Sequence, residues 1–251
     1  MSSKALVKEG SDHASSSVTD DSLAPRVYSN RVNRQVLQFV PKGTQHLLDV
    51  GCGAGTNAEY LADTLPGIQI HGLTVSPSER DQAIRFMDDC WVADVATEPL
   101  PLPVAQTQYD VILLSHVLEH IAYPAAVVRK LVSLLKPGGR LVIAVPNVLN
   151  WRYRLRFARG RFEYEEFGIM DATHLRFFSF DSAPRYLLKE APELKVLHHV
   201  AGAVVPISGF LRAKLPKRFT SGLDRAAARF APNLFGWQTI IVAGRRDDVI
   251  S

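Results

Sequence analysis

Apolar residues fall into short continuous runs along this chain, separated by stretches in which they recur every third or fourth position. HLLDV (46–50), IQIHGLTV (68–75), CWVA (90–93), YDVILLS (109–115) and RLVIAV (140–145) read as strands, and the apolar cores of HLLDV, YDVILLS and RLVIAV run continuously rather than alternating. That is the pattern of strands buried on both faces of a parallel sheet. Helical periodicity lies between them. Val32, Val36 and Leu37 share a stripe over 27–40, ended by Pro41-Lys42-Gly43. Ala58, Leu61, Ala62 and Leu65 share another that stops at Pro66-Gly67, and 77–87 reads as a helix. From Pro124 a helix carries Val127, Leu131, Leu134 and Leu135 inward and ends at Lys136-Pro137-Gly138-Gly139. Past Pro146 the rhythm breaks. Residues 147–180, rich in Arg, aromatic and Gly residues, predict an irregular lid; a helix over 182–190 and strands over 194–200 and 237–243 follow.

Strands alternating with helices at this spacing imply βαβ units, hence an α/β, Rossmann-like, doubly wound fold with a seven-stranded, mostly parallel sheet. A ligand then belongs where the strand order reverses, outside the carboxyl ends of the strands. The 251 residues suit one domain over 25–251, behind a Ser- and Asp-rich segment, 1–24, that reads as a disordered tail without an apolar signal region. The apolar stretch 196–211 is too short and too broken by His, Pro and Ser to span a bilayer. Cys52 and Cys90 form no framework, which suits a reducing, cytoplasmic setting. A net charge of +4 favours anionic ligands without identifying one.

The strongest chemical signal is Asp49-Val-Gly51-Cys-Gly53-Ala-Gly55, at the first strand's end. Three glycines allow a tight turn and close backbone approach to a ligand. The GxGxG spacing differs from the GxGxxG of nucleotide-pyrophosphate loops, and an acid two residues ahead suits a cationic ligand. DVGCGAG resembles the first motif of the class I S-adenosylmethionine-dependent methyltransferases. The likeness continues through YDVILLSHVLEHI and LLKPGGRLVIAVPN. It implies S-adenosyl-L-methionine as cofactor, with Asp49 near its methionine end and Gly51, Gly53 and Gly55 along it. Asp94 and Val95 of VADV would meet the adenine, and Ser115 would end the fourth strand beside the site. The usual ribose-binding acid after the second strand is missing, since Thr74 stands there. GLTVSPSE is similar instead to the variant in cyclopropane-forming lipid methyltransferases, which implies Glu79 for the ribose; a solvated helix carboxylate is the plain alternative.

A hydroxyl acceptor needs a base, and imidazole suits neutral pH. His120 and His174 are the candidates, with Asp171 placed to orient His174; Glu119 and His120 as a loop-holding cap is the plainer reading. Family members in ubiquinone biosynthesis and small-RNA 2′-O-methylation hold a divalent metal with ExxEH on this loop, which implies His116, Glu119 and His120, with His174 added, as the alternative to no metal at all. The lid resembles that of methyltransferases related to MetW and UbiG. Its Arg152, Arg154, Arg156, Arg159 and Arg161 interleave with Trp151, Tyr153, Phe157 and Phe162, which suits a small-molecule or glycan acceptor, although packing of the aromatics on the sheet accounts for them equally. The stretch 212–229 is also basic: a solvated face, or a peripheral membrane contact. Nothing points to DNA, and +4 is weak for RNA. A lipid or quinone methyltransferase, an RNA 2′-O-methyltransferase and a non-catalytic cofactor-binding protein are the competing functions.

Overall fold

The structure is a computed structural model, described here for residues 31–207 and 209–245; the tail expected over 1–24 lies outside these. The central sheet has the order β3-β2-β1-β4-β5-β7-β6. Its strands are β1 (His46–Val50), β2 (Gln69–Thr74), β3 (Asp89–Val92), β4 (Tyr109–Ser115), β5 (Leu135–Pro146), β6 (Leu194–Ala203) and β7 (Gly236–Arg245). Only β7 runs against its neighbours, pairing antiparallel with both β5 and β6. The expected seven-stranded, mostly parallel α/β sheet is therefore present.

Side-chain alternation in the buried strands divides the core in two. Leu48, Ile112, Leu114 and Ile143 pack on one face, and Leu47, Val111, Leu113 and Val142 on the other. Helices cover both faces: α1 (Arg34–Leu37), α2 (Thr56–Thr64), α3 (Pro77–Ala83), α4 (Leu102–Gln106), α5 (Pro124–Val132), α6 (Trp151–Ala158), α7 (Ser182–Leu187), α8 (Gly209–Lys214), α9 (Lys217–Phe230) and α10 (Pro232–Phe235).

Several boundaries differ from the periodicity. The helix expected over 27–40 is only α1 within the described residues, because Asn33 leaves the helical path to bond Asn57, Ser115 and Gln238. The helix after Pro124 stops at Val132, and Leu135, expected on it, opens β5 beside Tyr109. The proline-rich loop before β4 contains α4, seated on Val104. The lid is not wholly irregular, since α6 lies within it, capped by the Asn150 side chain. No residue of α6 is buried. Its Phe157 stacks on Phe162, which follows the helix, with centroids 5.5 Å apart.

Among the described residues no helix is long and apolar enough to cross a membrane.

Candidate functional site

The strand order reverses between the parallel neighbours β1 and β4, and the loops leaving both strands meet there. Gly51, Gly53 and Gly55 all have positive φ, at 70°, 54° and 86°. A β-carbon on Gly51 would lie 2.4 Å from a Val117 methyl, so the glycine loop packs directly on the loop after β4. One on Gly55 would lie 2.8 Å from the Ala83 Cα. Backbone cannot yield there, and left-handed φ is costly with a side chain. Gly55→Ala is expected to destabilise the protein by about 3 kcal/mol, lowering Tm by about 10 °C in a thermal melt.

Gly53 differs. A β-carbon there would meet nothing nearer than Glu79 Oε1, at 4.0 Å. Two acids border this open space. Asp49 is fully buried on β1 with neither carboxylate oxygen bonded, and burial pushes its carboxyl from 3.8 up to about 7. Glu79 is buried too; its Oε2 accepts from the Thr74 hydroxyl at 2.8 Å, while Oε1 is unbonded. The solvated-carboxylate alternative for Glu79 is thereby removed. Buried carboxylate oxygens without partners carry a desolvation penalty unless a ligand supplies donors. A ligand with an ammonium and vicinal hydroxyls fits this pair, and S-adenosylmethionine has both.

The remaining expected cofactor residues follow the ends of β3 and β4. Asp94, after β3, holds its own turn, accepting from Ala96 N and the Thr97 hydroxyl at 2.8 Å each. Val95 is buried, and its carbonyl accepts from Lys130 Nζ. Ser115, ending β4, accepts from Asn33 Nδ2 at 3.2 Å.

The loop after β4 carries the chemistry. His116 sits at φ 60°, stacked on Trp237 with centroids 5.7 Å apart. Its Nε2 lies 2.9 Å from Gln238 Oε1 and its Nδ1 3.2 Å from Glu119 Oε1. Gln238 Nε2 meanwhile donates to Gln35 Oε1, which fixes the amide orientation. Both His116 nitrogens thus face acceptors, as an imidazolium requires. Burial opposes that charge, but the Glu119 bond and charge outweigh it and raise the His116 pKa. His116 thus ties Glu119 on its own loop to Gln238 on β7.

His120 is held differently. Thr173 Oγ1 donates to Asp171 Oδ1 at 2.6 Å and lies 3.0 Å from His120 Nδ1. A hydroxyl has one proton, so with Thr173 donating to Asp171 its oxygen accepts from His120 Nδ1–H, and the ring also bonds the Thr173 backbone. His174 Nδ1 donates to the Ile169 carbonyl at 3.0 Å, which puts its lone pair on Nε2. The two rings meet edge to face at 4.7 Å. Asp171 reaches His120 through the Thr173 hydroxyl, and its backbone carbonyl accepts from His174 N. Burial lowers the His120 pKa, as does His174, against the raising effect of Glu119 and Asp171.

Glu119 is buried, with Oε2 unbonded, and its carbonyl accepts from Leu175 N and Arg176 N, docking the lid on this loop. Glu119, His120 and His174 each place one ligand atom within 4.8 Å of the others. The set that converges is this one, rather than His116, Glu119 and His120. Thr173 and Gln238 escaped sequence reasoning: the first lacks any motif, and the second lies more than a hundred residues from the histidine it bonds.

The profile of a family described as "Methyltransferase domain" matches residues 23–189. O-methyltransferase resE of Aspergillus sclerotiorum is 32% identical across 47% of this chain and 46% of its own length. The ubiquinone biosynthesis O-methyltransferase of Xylella fastidiosa strain M23 is 32% identical across 59% of this chain and 66% of its own length. The chain thus spans about half to two-thirds of the curated relatives it matches. Among solved structures, the O-methyltransferase of a Brevibacillus brevis trans-AT polyketide synthase, bound to S-adenosyl-L-homocysteine, superposes with a TM-score of 0.51 at 16% identity, covering 84% of this chain and 71% of that one. With the glycine loop, its two ligand-seeking carboxylates and the β4 loop in the places this fold assigns them, the chain belongs to the Methyltransferase domain family, as a class I S-adenosylmethionine-dependent methyltransferase.

Proposed function

We propose that this protein transfers a methyl group to a hydroxyl of a small-molecule or carbohydrate-type acceptor, with His120 as the base. The observation that supports this reading is the Asp171–Thr173–His120 chain, in which His120 Nδ1 meets the Thr173 hydroxyl beside the loop packed against Gly51. Asp49 would hold the cofactor's ammonium and Glu79 its ribose, with Gly51, Gly53 and Gly55 beneath; Thr74 orients Glu79, while Asp94, Val95 and Ser115 shape the adenine and methyl ends. When bound, S-adenosylmethionine supplies an electrophilic methyl on a sulfonium. His120 Nε2 takes the acceptor's hydroxyl proton as the oxygen–carbon bond forms and the carbon–sulfur bond breaks. Lowering of its pKa keeps His120 neutral, as a base must be. The O-methyltransferase names of the two relatives point the same way.

A second reading is favoured by Glu119 Oε2, buried and unbonded amid the lone pairs of His120 and His174. These three would bind a divalent transition metal that lowers the acceptor hydroxyl's pKa directly. One experiment separates the two. Methyl-labelled S-adenosylmethionine is incubated with phenolic and sugar acceptors, with and without EDTA, and products are read by mass spectrometry. Methylation at oxygen that survives EDTA supports the histidine base. Loss on chelation, restored by Co²⁺ or Mn²⁺, supports the metal. Methylation confined to nitrogen or carbon overturns both.

A further inference from the structure

Residues 204–235 join β6 to β7 where a tight hairpin would suffice, and they build α8, α9 and α10. The neck is closed by Val204 N donating to the Phe235 carbonyl. The insertion leaves the sheet at the carboxyl ends of the parallel strands, because β6 ends and β7 begins at that edge. Asn147, at the end of β5, ties it down by donating to the Asn233 and Gly236 carbonyls. It therefore stands on the same rim as the glycine loop and His120.

The helix α9 is amphipathic the wrong way round for a helix that only packs on its own protein. Its buried positions are Thr220 and Ala227, both small. Phe219, Leu223, Ala226 and Phe230 recur at helical spacing and form one stripe, yet Phe219 is 58% and Phe230 82% exposed. Arg218, Arg225 and Arg229 recur in the same way alongside them. Phe210 on α8 is 73% exposed, with Lys214 Nζ 4.0 Å above its ring. Across α8 and α9 six cations stand against one acid, Asp224, which Arg212 already pairs at 2.7 Å. That excess is larger than the +4 net charge of the whole chain.

We infer that α8 and α9 form a docking surface for an anionic lipid bilayer, with Phe210, Phe219 and Phe230 entering the interface and Lys214, Lys217, Arg218, Arg225 and Arg229 meeting lipid phosphates. Exposed large apolar side chains flanked by cations are the composition of an interfacial helix. A second copy of this chain would set cationic stripe against cationic stripe. A nucleic-acid duplex, its bases already stacked, would use the cations and leave the phenylalanines in water. Docked this way, the rim bearing the site faces the membrane, so a hydroxyl acceptor dissolved in the bilayer reaches it without crossing water. The docking itself does not depend on which residue is the base.

The full-length chain is to be sedimented with vesicles of phosphatidylcholine, with and without phosphatidylglycerol, over a range of salt. Binding only to the phosphatidylglycerol vesicles, weakening with salt, is expected. Lys217→Ala with Arg218→Ala should bind about 30-fold more weakly, corresponding to about 1 kcal/mol for each cation near the surface. Phe219→Ser with Phe230→Ser should lose binding at every salt concentration. All four positions are exposed, so an unchanged circular dichroism spectrum is expected of both variants. Failure of the folded chain to bind phosphatidylglycerol vesicles would overturn the inference. So would wild-type binding by either double variant, or retention of RNA in preference to vesicles.

Discussion

Asp49→Asn is expected to make the ligand-free protein more stable at pH 8 and at the same time to weaken cofactor binding about 100-fold. Asp49 has no hydrogen-bond partner for either oxygen, and burial holds its carboxyl at about 7, against 3.8 in its absence. A folded-state pKa above the unfolded one means that the native state binds the extra proton. Stability is therefore highest below pH 4 and is lost as pH rises from there to about 7. The lost stability amounts to about 4 kcal/mol on this group alone. Asparagine cannot ionise, so it escapes that loss, although its unbonded amide costs about 1–3 kcal/mol. A net rise in Tm of about 5 °C at pH 8 is expected, turning into a fall of a few °C near pH 4, where only the amide's cost remains. Calorimetry should show the opposite effect on binding, because a buried carboxylate bonded to an ammonium contributes about 3 kcal/mol. Wild-type affinity should also rise about tenfold per pH unit as pH climbs toward 7, since binding expels the Asp49 proton. If Asp49→Asn binds S-adenosylmethionine as the wild type does, the carboxylate does not face the ligand.

The second large effect is expected at His120. His120→Gln should lower kcat by about 10²–10⁴-fold while the calorimetric Kd for the cofactor stays unchanged. A cap that merely holds the loop would shift the Kd as well, because this loop packs on Gly51. Thr173→Val leaves the imidazole in place but removes the acceptor for Nδ1–H, so kcat should fall about tenfold and recover in Thr173→Ser. The pH profile supplies an independent check. Burial places the His120 pKa below 6.5, so the acid limb of kcat should lie below pH 6.5. The Asp171 charge raises that pKa, and Asp171→Asn should move the limb lower still. A limb that stays put in Asp171→Asn would exclude the chain through Thr173.

Much of this molecule was written locally. The continuous apolar runs within β4 and β5 determined a sheet covered on both faces, because such a run has no polar side to expose to water. Asp49 and the three glycines determined a ligand loop, since positive φ and close approach are properties of those residues wherever they fold. Places where a residue has two uses were less legible. Asn33 reads as helix and serves as a bond to Ser115 and Gln238. Leu135 fits a helical stripe but pairs with Tyr109 in the sheet.

What only the tertiary structure decided is which polar groups share a buried space. Asp171 lies three residues from His174, and sequence distance pairs them; folding inserts the Thr173 hydroxyl between Asp171 and His120, more than fifty residues away. His116 stands beside Glu119 and His120 in one motif. Gln238 arrives from β7 and claims its second nitrogen, so the trio that converges is Glu119, His120 and His174 instead. The stripe of Phe219 and Phe230 is visible as a period, but only the fold shows that α9 rests on Thr220 and Ala227 and leaves that stripe outside. Periodicity and backbone freedom are properties of neighbours along the chain. Desolvation and hydrogen bonding belong to groups brought together by the sheet, and no local pattern encodes them.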